Sequence, residues 1–502
     1  MAWCPCEVPV WQPSLWPHDG GAMPDHPKNS TRAASPRSVD FTQTYAEFSS
    51  ALNYSDLPPS AVAAVRLNVY DTLACALAGF RAPGVQEVLD VVRDWGGKPE
   101  AQILWTDLRV PAPNAGWING IMAHACDYDD THDKAILHGG ISVVPAALAA
   151  VDMAGRPVSG KEFYTAVASG LELICRLGVA TRIGLIQAGF IYSALFSYFA
   201  AAAAAARVLN LSTEQTVNAI GIAYTQASGT HQVTRDGALT KRMQPGFGTR
   251  AALTAVALAR RGIRGAQNVF EGIDGLGRTY LQGELDSDVL RADLGDRYHF
   301  EELSYKPYPC CRMNHCAIDA ALDIRAQDGF DWTQVTDIKA HINAQGNQAV
   351  GTPLEIRRAP TSVVQAQFSI CYTIACALVN GAVTLSDFTA EALQRADVLS
   401  VAARVTPVVD AELDRAMGRN VTPARVEALM GDRIYRAQVT EARGNFTTPL
   451  SPADLRLKLA DCLAFGGFDK SGADSFETAI ANLEASTDVA GELRRLSARL
   501  SA

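Results

Sequence analysis

From Phe41 onward, apolar side chains recur at helical spacing. Phe41, Tyr45, Phe48 and Leu52 fall on one face of the first predicted helix. Pro58, Pro59 and Ser60 then introduce an apolar run over residues 61–78 that Gly79 closes, a start and stop pattern for a second helix. Alanine-rich helical stretches follow at about residues 143–153, 160–179, 194–209, 213–226 and 249–261. Alanine at this density lets helices approach closely and favours helix-on-helix packing. Almost no strand pattern is visible before residue 300.

The texture changes after Tyr305. A helix near residues 314–327 precedes the alternation Ile338, Ala340, Ile342, which predicts a half-buried strand. A helix over 367–379 ends at Asn380-Gly381, and short strand-like runs follow at 402–409, 424–430 and 434–440. Helical spacing returns from Ser451, so the C-terminus is expected to pack back on the first helices. The pattern predicts a mainly α chain with a smaller α+β part in its second half. Residues 1–40 have another character: Trp3, Trp11 and Trp16 sit among Pro5, Pro9, Pro13 and Pro17, without a basic stretch leading into an apolar one. This reads as a disordered extension rather than a signal peptide, which makes the cytoplasm the default location.

Composition narrows the function. At 502 residues two domains are expected, and 48% hydrophobic against 19% charged residues is an ordinary globular balance. The net charge of −9, with no run of Lys or Arg, argues against nucleic acid or an anionic membrane as partner. An anionic ligand would need cations gathered locally. The longest apolar run, residues 190–206, carries two tyrosines and two serines and reads as a buried helix rather than a membrane span. The 11 cysteines are scattered, several of them in apolar helical stretches, as expected of buried thiols.

Three clusters hold most of the reactive side chains. In the first, His124-Ala-Cys-Asp127-Tyr-Asp-Asp-Thr131-His-Asp133 and then His138, four carboxylates and three imidazoles fall within fifteen residues, in a chain with only 9 histidines. General acid–base chemistry needs groups titrating near neutrality with carboxylate partners, and this segment supplies both. A solvated capping loop and a metal site are the alternatives, although the spacing fits no EF-hand. The second cluster, Thr240-Lys241-Arg242-Met-Gln244-Pro245-Gly246, places two cations before a Pro/Gly turn and a helix start, a plausible anion cradle. A surface Lys-Arg pair is the plainer alternative. The third runs Tyr305-Lys306-Pro-Tyr308-Pro-Cys-Cys-Arg312-Met-Asn-His315-Cys316. It lacks the second Cys/His pair of a zinc finger. Its prolines imply a rigid turn presenting Tyr308, Arg312 and His315, with Arg312 able to fork onto a substrate carboxylate, unless the run is simply a packed domain junction.

Together these clusters resemble the MmgE/PrpD family, which includes 2-methylcitrate dehydratases, cis-aconitate decarboxylases and an iminodisuccinate epimerase. The family's Asp-Phe-Asp-Asp-Thr-His, later His-Pro and Pro-Ala-Ala-Leu are similar to Asp127–His132, His138 and Pro145–Leu148. Its Lys-Arg-Leu-His-Pro-Gly resembles Lys241–Gly246, and its Lys-Pro-Tyr-Pro-Cys-Cys resembles Lys306–Cys311. The resemblance runs from about residue 41 to the C-terminus. It implies a large all-helical domain formed by both chain ends (41–302 and 443–502) and a smaller α+β lid domain (303–442). It also implies a homodimer and catalysis with neither metal nor organic cofactor. By motif match Asp127, Thr131, His138 and Lys241 fall on active-site positions, with Tyr308 and Arg312 of the lid facing them.

This sequence departs from the family pattern at two histidines, where Ile191 and Gln244 stand instead, and has one extra residue between Thr131 and His138. The expected function is a lyase, dehydratase or decarboxylase, acting on a small di- or tricarboxylate through proton transfer at Cα. His138, Lys241, Asp127 and Tyr192 are the expected catalytic groups. Thr131, Arg242, Tyr308, Arg312 and His315 are expected to bind the substrate. An epimerase pairing His138 with Tyr192 or Lys241 as its second base is the alternative. A metal-dependent hydrolase and a catalytically inactive binding protein are further removed.

Overall fold

The computed structural model describes residues 39–417 and 423–500; nearly all of the expected N-terminal extension lies outside them. The chain is mainly α. Asp40 caps the first helix, Phe41–Ala51, by accepting from the Thr42 N–H, and Pro59 begins the long helix Pro59–Gly79. The predicted helices appear as Gly140–Met153, Gly160–Ala180, Tyr192–Val208, Thr213–Tyr224 and Gln244–Ala259. The run read as a buried helix is Tyr192–Val208, whose sole half-exposed side chain is Arg207. Pro59–Gly79 and Gly160–Ala180 are long and apolar enough to cross a membrane by length and composition, but both are mostly buried among other helices.

Two helices of more than ten residues escape the sequence pattern, Val85–Trp95 and Ala112–His124. Ala112–His124 is buried along nearly its whole length, so its apolar residues go round the helix and leave no stripe to detect. It packs against Pro59–Gly79, Gly140–Met153 and Gln244–Ala259. Small residues make the approach close: a Cβ on Gly79 would lie 1.9 Å from the Met122 carbonyl oxygen, and one on Gly120 would lie 3.0 Å from Gly246 Cα.

Buried apolar side chains form two clusters. The first draws on residues 41–305 together with Leu385 and the C-terminal helices, of which Pro452–Gly466 lies against Pro59–Gly79. The second draws on residues 308–442. It surrounds a sheet in the order Val405–Val409, Val335–Ile342, Ala424–Met430, Arg433–Val439, whose first pair is parallel and whose other pairs are antiparallel. The last two strands form a hairpin in which Met430 pairs with Arg433. Helices His315–Arg325 and Ile370–Asn380 cover the sheet, the latter ending at Gly381 with φ 72°. Glycine there meets no Cβ penalty in the left-handed conformation. All nine described cysteines are unbridged thiols; Cys311 is half-buried and the others are buried.

Candidate active site

The acidic cluster occupies the loop between helices Ala112–His124 and Gly140–Met153. Thr131 and His132 pair antiparallel with Ser304 and Leu303, which ties the loop to the chain just before the third cluster. Asp130 is fully buried and accepts the Gly139 and Gly140 N–H groups at 2.8 and 2.9 Å, anchoring the loop to a helix N-terminus. Asp127 sits in the left-handed region at φ 52°, which Asp tolerates better than most residues.

The second and third clusters converge on Asp127. Lys241 Nζ lies 2.8 Å from Asp127 Oδ2, while Lys306 Nζ donates to Asp127 Oδ1 and, at 2.8 Å, to its backbone carbonyl. Burial disfavours charge on this carboxyl, yet the two lysines, aided by His138 and His124, outweigh burial and hold it well below the ordinary range. Lys241 also approaches His124 Nε2 at 3.0 Å and lies over the Phe368 ring, 5.0 Å from its centroid. An ammonium only donates, so His124 Nε2 accepts and Nδ1 carries the proton, donating to Asp129 at 3.0 Å. Burial, reinforced by Lys241 and His138 and only partly offset by Asp129, lowers His124 to about 4.

His138 shares the same carboxylate. Its Nδ1 is 2.7 Å from Asp129 Oδ2 and 2.7 Å from the Asp130 carbonyl oxygen, so Nδ1 is the donor and Nε2 the basic atom of the neutral ring. Its backbone N–H donates to Ser193 Oγ at 2.9 Å. Burial works against the Asp129 charge, but the two imidazoles prevail and keep it well below the usual carboxylate range. A continuous polar chain results: His138, Asp129, His124, Lys241, Asp127, Lys306. Donor atoms of His124, Asp129 and His138 lie within 4.8 Å of one another, a set of metal-ligating type whose carboxylate is at hydrogen-bond distance from both rings.

The chain of groups opens into a cavity of about 530 Å³ whose lining includes Asp127, Thr131, His138, Lys241 and Arg312. Other walls come from Leu185, Ile186, Ile191, His231 and Arg235, and from Met313, Ile356, Arg357, Val364 and Phe368.

The description "MmgE/PrpD N-terminal domain" matches residues 43–287, and "MmgE/PrpD C-terminal domain" matches residues 308–485. This chain belongs to the MmgE/PrpD family. Among its relatives, a cis-aconitate decarboxylase-like protein (oryM) of Aspergillus oryzae is 27% identical over 89% of this chain and 95% of its own length. A cis-aconitate decarboxylase of Aspergillus terreus is 25% identical, covering 91% of this chain and 95% of the relative. That of Homo sapiens is 24% identical over 83% and 86%.

Of the nine site residues expected in this MmgE/PrpD chain, five reach the cavity and four are turned elsewhere. The Tyr192 hydroxyl donates to the Ile183 carbonyl at 2.7 Å, and Tyr308 donates to Asp319 at 2.6 Å. Arg242 is buried with Nη1 3.4 Å from the Pro83 carbonyl, and His315 is buried against Arg312 and the Cys310 carbonyl. None of these four belongs to the lining. Arg312 does, but its fork is already taken: Nε and Nη2 reach Asp133 at 3.2 and 3.1 Å, and Nη1 donates to the Arg443 carbonyl at 2.8 Å. The acid that captures it, Asp133, belongs to the first cluster and also accepts from Ser304 and Asn445. The Pro/Gly turn after Lys241 is itself helical, since Pro245 suits the first turn and the helix begins at Gln244.

Sequence reasoning missed Arg357. Its Nε and Nη2 donate to the Thr352 and Ala349 carbonyls at 3.0 and 3.1 Å, and among the described residues it has no carboxylate partner. It sits in the short helix Leu354–Arg358, where no motif distinguishes it from neighbouring charges. His124 and Asp129 stood inside the recognised cluster, yet their central place in the chain of hydrogen bonds had no signature of its own. Of the two positions that depart from the family's histidines, Ile191 lines the cavity, whereas Gln244 donates to the Thr230 carbonyl at 3.1 Å and does not.

Proposed function

We propose that this MmgE/PrpD protein is a lyase that removes carbon dioxide from a small, unsaturated di- or tricarboxylate by acid–base chemistry, with no metal or organic cofactor. The observation that carries this reading is the hydrogen-bonded link from His138 through Asp129 and His124 to Lys241, both ends of which line one cavity. The names of the relatives favour decarboxylation over dehydration. In this reading Arg357, Arg235 and Lys241 hold the substrate carboxylates. The C–CO₂ bond breaks, its electron pair passes into the conjugated remainder, and His138, protonated at Nε2, delivers a proton to the carbanion-like carbon. Asp129 on Nδ1 stabilises the imidazolium that donates it. Residues 303–442 act as the lid that brings Arg357 to the substrate. A cytoplasmic homodimer is the expected setting.

The two-base epimerase loses Tyr192 as its second base, because that hydroxyl is committed to Ile183. The reaction class is tested by incubating the purified protein with hydroxy, amino and unsaturated polycarboxylates in deuterated water. Release of carbon dioxide with deuterium at the vacated carbon is expected, and its rate should survive exhaustive chelation. Label exchange at Cα without loss of a carbon would replace this reading with the epimerase, and dependence on added metal would bring back the hydrolase.

A further inference from the structure

One wall of the cavity is apolar. Leu185 and Ile186, on the short helix Leu185–Ala188, and Ile191, just before Tyr192–Val208, form one apolar stretch of its wall. Ile136 adds to the lining two residues before His138 and also packs against the second apolar cluster. All four of these side chains are only half-buried, so apolar surface faces the empty space. Exposed hydrocarbon inside a concave site is unfavourable in water and gains from an apolar ligand group.

Two features mark this wall as built. Ile136 is held at φ 53°, a conformation that a β-branched residue adopts only under constraint from its surroundings. Ile191 is fixed by its backbone N–H, which donates to the Gly229 carbonyl at 2.7 Å, and it occupies a position where the resemblance leads one to expect histidine. An alkyl group there withdraws a polar partner from the site and enlarges its apolar side. At about 530 Å³ the cavity falls within the range of roughly 300–1,000 Å³ that accepts ligands larger than a six-carbon acid.

We propose that the substrate is a polycarboxylate bearing an aliphatic substituent of several carbons, seated on Ile136, Leu185, Ile186 and Ile191. The inference rests on the lyase reading for its carboxylate end and on the apolar wall for the rest. The test is calorimetric titration of the whole protein with succinate and with 2-alkylsuccinates from methyl to hexyl. In parallel, turnover is followed for unsaturated tricarboxylates with and without an alkyl group. Kd should fall about fourfold for each added methylene until the wall is covered. The slope should flatten in Ile191→Asn and, as an independent check, in Leu185→Asn, with succinate binding unchanged in both. A Kd that is flat or rises with chain length overturns the alkyl subsite, even if the unsubstituted acid is turned over and the lyase reading stands. A clear slope without turnover of any acid upholds the subsite and overturns the lyase. Absence of binding across the whole series overturns both.

Discussion

His138 keeps one ring nitrogen for chemistry because Asp129 and the Asp130 carbonyl both engage the other. His124, bonded to the same carboxylate, is prevented from charging by burial and by the ammonium of Lys241. Its value of about 4 lies below the ordinary 6.5, so the folded protein binds fewer protons than the unfolded chain between those pH values. The cost of keeping His124 neutral is absent above pH 6.5 and grows as pH falls toward 4, reaching roughly 3 kcal/mol. The stability advantage of the native chain over His124→Gln, measured by denaturant titration, should therefore shrink across that window. NMR should find the His124 ring still neutral at pH 5. Arg357→Ala should raise KM for the carboxylate substrate at least tenfold, a loss of one charge-assisted contact, while leaving the fold intact. The five expected residues that reach the cavity were legible because reactive types crowd together in short segments and, for Thr131, because of the family motif. The partner that occupies the fork of Arg312, Asp133, was not foreseen. Arg357 was hidden because a cation is marked by what it lacks around it, and that is a property of three dimensions.

Lys241 reaches His124 because two helices approach at glycines. Gly120 on Ala112–His124 faces Gly246 in the first turn of Gln244–Ala259, and a Cβ on Gly246 would lie 2.5 Å from the Trp117 carbonyl oxygen. Gly246→Ala must push the helices apart, so activity should fall by more than any loss of thermal stability explains, with the Lys241–His124 contact broken. On the other side of the loop, Lys458 of helix Pro452–Gly466 pairs with Asp71 of Pro59–Gly79 and donates to the Tyr128 carbonyl at 2.6 Å. Both side chains are buried, so Lys458→Met strands a buried carboxylate and should destabilise the fold by about 3–5 kcal/mol in chemical denaturation. Replacing both partners, Asp71→Leu with Lys458→Met, should recover most of that loss. The strand Val335–Ile342 is readable because it buries alternate residues, and Gly140–Met153 and Tyr192–Val208 because long alanine-rich apolar runs mark them although they are buried nearly all round. Ala112–His124, buried all round and bounded by no alanine-rich run, has no such mark, nor does the short helix Val85–Trp95; Pro245, which reads as part of a turn, stands in the first turn of a helix, where its missing N–H is not needed.

At the scale of the molecule, the cavity draws His138 and Lys241 from the first apolar cluster's segments and Arg357 from those of the second. The mainly α character and the change of texture after Tyr305 follow from hydrophobic periodicity, but the meeting of residues 127, 241 and 306 at one carboxylate is a product of packing. A polycarboxylate that bridges the two sets of residues should stabilise the native protein by about 2.7 kcal/mol at a hundredfold excess over Kd, and Arg357→Ala should remove at least about half of that gain in a thermal scan at the same ligand concentration. The role of His138 is tested by comparing carbon dioxide release from an unsaturated tricarboxylate by the native protein and by His138→Ala, with circular dichroism to verify that the variant is folded. Turnover by the native chain is expected, with a loss of about a hundred- to ten-thousand-fold in kcat for the variant. Equal rates for the two proteins would contradict that role.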